Sequence, residues 1–69
     1  MHLLLANLDT GLFFGEGGWT TDRKLAQIFD NTEAIERTAS RNKVTNAAAA
    51  MVEGDPPRTR GFLWLTKPH

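Results

Sequence analysis

The chain has 69 residues, with eight Lys or Arg against eight Asp or Glu and no cysteine. A chain of this length holds one domain, here residues 1–69, and buries only about 60% of the surface its unfolded form exposes. Without cysteine there is neither a disulfide framework nor a thiolate zinc site, so the apolar core is thin and a partner or a second copy is expected to supply some of the burial.

The first strand is expected over His2 to Leu8, followed by a turn at Asp9-Thr10-Gly11 and a second apolar run at Leu12-Phe13-Phe14, which together read as a β-hairpin. The opening Met1-His2-Leu3-Leu4-Leu5-Ala6 is too short for a membrane span and lacks the basic flank of a secretory signal. A soluble, cytoplasmic protein with no membrane partner is therefore expected. Three glycines in Gly15-Glu16-Gly17-Gly18 predict the end of regular structure, and Trp19 is expected to fold back on the sheet as a plug.

Thr20 or Thr21 is placed to cap a short helical turn over Asp22 to Ala26, after which Ile28 and Phe29 return to the core. The main helix is predicted at about 31–42, capped by Asp30 or Asn31, with Ala34, Ile35, Thr38, Ala39 and Asn42 on its core-facing stripe. Val44 to Glu53 divides between helix and strand. The stripe does not carry through Arg41 and Thr45, and Asn42 suits a left-handed stop, so a strand over Ala47 to Val52 is preferred. Asp55 to Gly61 reads as a loop, Phe62 to Thr66 as the last strand, and Lys67-Pro68-His69 as a tail. The order predicts an α+β fold, ββαββ, with a four-stranded, mainly antiparallel sheet and one main helix on one face. Because Leu3-Leu4-Leu5, Leu12-Phe13-Phe14 and Phe62-Leu63-Trp64-Leu65 are apolar on both faces, the second face needs a cover: the Trp19 loop, a second copy, or a partner.

The inventory argues against catalysis. Tyrosine and cysteine are absent, Ser40 is the only serine, and His2 and His69 lie at the two ends, a poor place for a metal pair. Glu33 and Glu36 are explained by the helix dipole, and no Gly-Lys-Ser/Thr follows the glycine cluster to make a phosphate loop. No enzyme activity, cofactor or metal is expected, and the protein is read as an interaction module.

Two surfaces are candidates. Residues 1–36 carry Asp9, Glu16, Asp22, Asp30, Glu33 and Glu36 against two cations, a net −4, and residues 37–69 reverse this to +4. If the acids gather in space they form an acidic binding surface; otherwise the two halves neutralise one another. The second candidate is Arg58-Thr59-Arg60-Gly61-Phe62-Leu63-Trp64, where two arginines precede Phe62 and Trp64 on one strand face. With Arg37 and Arg41 on the helix, this supplies rings for bases and cations for phosphates. Packing of Phe62 and Trp64 beneath the helix accounts for the same residues without nucleic acid.

Arg60-Gly61-Phe62 with Trp64 and Leu65 partly resembles the first ribonucleoprotein motif of the RNA-recognition fold, from which it departs at Leu63, in place of a small residue, and at Lys67, in place of an aromatic. More broadly, Gly18-Trp19-Thr20-Thr21-Asp22, Ala26-Gln27-Ile28-Phe29-Asp30 and Glu33-Ala34 resemble a pattern of small phage and mobile-element accessory proteins, some similar to anti-CRISPR inhibitors. That resemblance implies a phage-type inhibitor, monomer or homodimer, that masks a host protein or nucleoprotein complex. The alternative is a small nucleic-acid-binding module.

Overall fold

A computed structural model describes residues 2–65; Met1, Thr66 and the Lys67-Pro68-His69 tail lie outside the described residues. Strands β1 (His2–Asn7) and β2 (Leu12–Gly15) form the expected hairpin. Gly11, at φ +74°, donates its N–H to the Asn7 carbonyl, and the Asn7 side chain accepts from the Asp9 N–H. These local bonds replace the ladder where the chain reverses.

The glycine cluster does not end the sheet. Gly15 pairs with Gly18, so Glu16-Gly17 is a tight turn into a third strand, β3 (Gly18–Thr20), which brings the sheet to five strands instead of four. The entropy cost of glycine was outweighed because Gly18, at φ +119°, lets the turn close. Trp19 is thus a strand residue and not part of a loop folded over the sheet: it pairs with Phe14, meets its ring edge to face with centroids 5.5 Å apart, and packs half-buried against the helix-side core.

The short helical turn after Thr21 is a single turn and not a helix: Leu25 N–H donates to the Asp22 carbonyl, and no further helical bond follows before Ala26. Thr20 caps it, its Oγ1 accepting from the Asp22 N–H, and Asp22 Oδ1 accepts from the Lys24 N–H. Residues 26–29 then run extended. β1 and β2 pair only at Ala6–Phe13 and Asn7–Leu12, and this segment fills the gap beyond, with Gln27 N–H donating to the Phe14 carbonyl and Phe29 N–H to the Leu3 carbonyl. Adjacent residues of an extended segment point to opposite sides. Phe29 is therefore buried, whereas Ile28, expected in the core, is 56% exposed.

Helix α1 (Thr32–Arg41) begins where Asn31 Oδ1 accepts the Ala34 N–H and buries Ile35 and Ala39. It ends in a Schellman arrangement, Lys43 N–H to the Ser40 carbonyl and Val44 N–H to the Ala39 carbonyl. The left-handed residue is Lys43, at φ +56°, and not Asn42. β4 (Ala47–Glu53) is a strand, as preferred. β5 (Arg58–Trp64) starts four residues before Phe62, because Arg58 and Thr59 pair with Glu53 and Val52 across an irregularity at Met51/Val52.

The result is an α+β fold with strand order β3-β2-β1-β4-β5, every neighbouring pair antiparallel. Leu5, Ala47 and Ala49 pack with Ile35, Ala39, Val44 and Phe29 on the helix face. Leu4, Ala6, Phe13, Ala26, Ala50 and Val52 form the second face's own core. Both faces of Ala47 to Ala50 are fully buried, which small side chains in a strand between two other strands permit. The cover of the second face comes from the segment after β3: Ala26 joins that core, and Arg23 reaches across it. No helix among the described residues is long and apolar enough to cross a membrane.

Candidate functional site

β5 is an outer strand of the sheet, seven residues long. Leu65 N–H donates to the Ala47 carbonyl, and the register runs unbroken through Ala48–Trp64, Ala49–Leu63 and Ala50–Phe62. Backbone polar groups alternate sides along a strand. The N–H and C=O of Leu63 therefore point to β4, and those of Phe62 and Trp64 point outward.

The side chains along this edge are apolar and open. Phe62 is 47% exposed, Leu63 50% and Trp64 55%. Opposed residues of an antiparallel pair share a face, so Phe62 and Trp64 lie on the second face beside Ala50 and Ala48, and Leu63 lies on the helix side beside Ala49. Packing of the two aromatics beneath the helix is thus corrected: they stand on the opposite face. A long, apolar edge is what natural sheets normally avoid by charge, bulge or cover. Here Arg58, Arg60 and the irregularity protect only the first half of β5. Arg60 Nε lies 3.2 Å from Glu53 Oε1 in an exposed ion pair, and Thr59 accepts from Arg23.

The other candidate residues are dispersed. Arg37 and Arg41 border a hollow with Gln27, Asp30 and Asn31, whereas Glu36 and Ser40 border the one that reaches Leu65. The helix arginines are therefore on the flank away from β5, and on the opposite face of the sheet from Phe62 and Trp64. Among the acids, Asp9 sits in the β1–β2 turn, accepting from Asn46 Nδ2 at 3.1 Å, and Glu16 sits at the other end of β2. Asp22 is held in the loop after β3 and Asp30 precedes the helix, while Glu33 and Glu36 share a hollow with Arg37. These six carboxylates do not converge on one patch.

Two contributors carry little signal in the sequence. Arg23 is one, since its partners Phe13 and Thr59 are distant along the chain. Leu25, 67% exposed beside Ile28, is the other. Both leucine and isoleucine border a depression of about 750 Å³ between the β2–β3 hairpin and residues 24–28, where Glu16 and Lys24 are the charged side chains. No three His, Asp or Glu side chains gather as metal ligands among the described residues. Comparisons with family models, with curated proteins and with solved structures find no match to this chain.

Proposed function

We propose that this chain is a non-enzymatic interaction protein that binds through the outer edge of β5. In this reading it is a phage-type, anti-CRISPR-like inhibitor acting in the cytoplasm, which masks a host protein or nucleoprotein complex by adding β5 to a strand of its partner. The observation that carries the reading is the half-exposed run Phe62-Leu63-Trp64 on an open strand edge. Strand addition takes affinity from main-chain hydrogen bonds and selectivity from alternate side chains, and this segment offers both. The dispersal of Asp9, Glu16, Asp22, Asp30, Glu33 and Glu36 favours this edge over a nucleic-acid-mimicking acidic surface.

Affinity capture from the native host, with wild type and Trp64→Asp side by side, tests the proposal. A host protein retained by wild type and lost by the variant supports it; equal retention refutes the role of β5.

A second reading, direct binding of single-stranded nucleic acid, is favoured by one fact: Phe62 and Trp64 are exposed on the same face, about 7 Å apart along the strand. Arg58 and Arg60 would supply the phosphate contacts in that case, without Arg37 and Arg41. Fluorescence anisotropy with a labelled single-stranded oligonucleotide decides. Binding at low salt that weakens steeply as salt rises supports this reading, and no binding at low salt removes it.

A further inference from the structure

We infer that, when no other partner is present, the β5 edge is occupied by a second copy of this chain, paired antiparallel about a two-fold axis at Leu63. The inference shares with the proposed function only the openness of this edge and does not require a host partner.

The hydrogen-bonding direction selects the register. Only Phe62 and Trp64 present outward N–H and C=O groups in the regular part of β5, as the Leu65-to-Ala47 bond and the β4 register dictate. With the axis at Leu63, Phe62 of each copy stands opposite Trp64 of the other. Both outward pairs then exchange their N–H and C=O groups, which makes four hydrogen bonds across the axis.

The side chains fit the same register. On the second face each Phe62 meets the other copy's Trp64, and such cross-strand aromatic pairs are favourable. On the helix side Leu63 meets its counterpart, and Leu65 stands opposite Gly61, where it meets the Met51 side chain that fills the place of a Gly61 Cβ. Charge agrees as well. Arg60 lies six strand positions from its own counterpart, about 20 Å, well beyond the screening length of about 8 Å at physiological salt. A register centred on Gly61 would bring the two Arg60 residues within about 7 Å.

The three exposed side chains offer on the order of 300 Å² per copy. This is small against a standard interface of about 800 Å² per partner, so the dimer is weak and exchanges rapidly. Such an edge remains available to another strand.

The chain has no cysteine, so one introduced thiol reports the register. Across the axis Leu63 forms a non-hydrogen-bonded pair, with Cα atoms about 4.5 Å apart, inside the range that a disulfide spans. Under a mild oxidant, Leu63→Cys should form a covalent dimer roughly tenfold faster than Leu25→Cys, whose thiol is at least as exposed but lies off the axis. Sedimentation of the wild-type chain should show the weight-average mass rising from one chain toward two with concentration, and Leu63→Lys, folded by circular dichroism, should stay at one. A wild-type mass that stays at one chain up to about 1 mM, or a Leu63→Cys thiol that crosslinks no faster than that of Leu25→Cys, overturns the inference. A chain that is monomeric yet retains a host protein through β5 would overturn the dimer alone and leave the proposed function standing.

Discussion

The Nε–H of Arg23 donates to the Thr59 hydroxyl at 2.7 Å, tying the segment that leaves β3 at one edge of the sheet to β5 at the other. The same guanidinium lies 5.2 Å from the centroid of the Phe13 ring. One side chain thus spans the second face from β2 to β5, above the core of Leu4, Ala6, Ala50 and Val52.

Removal of this clasp should be felt in stability. Arg23→Ala loses a cation–π contact worth about 0.5–2 kcal/mol and a hydrogen bond worth about 1 kcal/mol. The urea midpoint should fall by an amount equivalent to roughly 1–2 kcal/mol. Arg23→Lys, which keeps the charge over the ring but not the Nε donor, should fall between. A midpoint equal to wild type in Arg23→Ala would show that the clasp is not formed in solution.

Gly15 is a position of steric necessity. A Cβ there would stand 2.7 Å from the Leu25 carbonyl oxygen and 3.2 Å from that of Gly18, both backbone atoms. Gly15→Ala should destabilise the chain by about 1–3 kcal/mol by pushing residues 26–29 out of the gap between β1 and β2. Gly17→Ala, which meets nothing within 4 Å, should change thermal stability by less than about 0.5 kcal/mol. Equal melting temperatures for the two variants would contradict this account of the gap.

How much of this was legible beforehand follows the range of the interactions. The first hairpin and the helix are set by local rules and appear where those rules place them, with Asn31 and not Asp30 as the cap; the strand at Ala47, which local rules leave divided between strand and helix, is fixed by pairing with β1 and β5. The third strand was missed because a tight glycine turn and a glycine-rich loop share one composition, and only the pairing of Phe14 with Trp19 separates them. The site was half legible. Phe62 and Trp64 were marked by the pattern of β5 itself, but their exposure depends on which face the helix covers and on β5 lying at an edge, both of which are tertiary facts. Ile28 failed for a related reason: its neighbours bridge two strands, so the chain cannot turn it inward.

The helix terminus offers a gain instead of a loss. Lys43 holds a left-handed conformation, φ +56°, that costs a residue with a Cβ about 1–2 kcal/mol and glycine nothing. Part of that is returned through the greater freedom of glycine in the unfolded chain. Lys43→Gly should therefore stabilise the protein by roughly 0.5–1 kcal/mol, read as a higher urea midpoint at unchanged slope. A lower midpoint would mean that Lys43 makes a contact that outweighs its backbone strain.

The alanine run sets how closely the layers approach. Ala49 is fully buried on the helix side, in the cluster that holds Ile35 and Ala39. Ala49→Leu should cost about 1–3 kcal/mol through overpacking, whereas Thr45→Leu, at an exposed position, should be close to neutral. Comparison of the two chemical denaturation curves checks the difference, and equal midpoints would argue against close packing of α1 on β4.

The central claim is that the outer edge of β5, backbone included, is where this protein binds. Proline at an edge position with an outward N–H removes that donor and leaves the β4 ladder paired. Phe62 meets this condition, and Gly61 before it tolerates the conformation proline imposes. The decisive measurement is quantitative capture of the retained host protein by wild type, Phe62→Ala and Phe62→Pro, each confirmed as folded. Phe62→Ala should lose part of the capture and Phe62→Pro at least about tenfold more, equivalent to about 1.4 kcal/mol. Capture by Phe62→Pro at the level of Phe62→Ala would contradict the central claim.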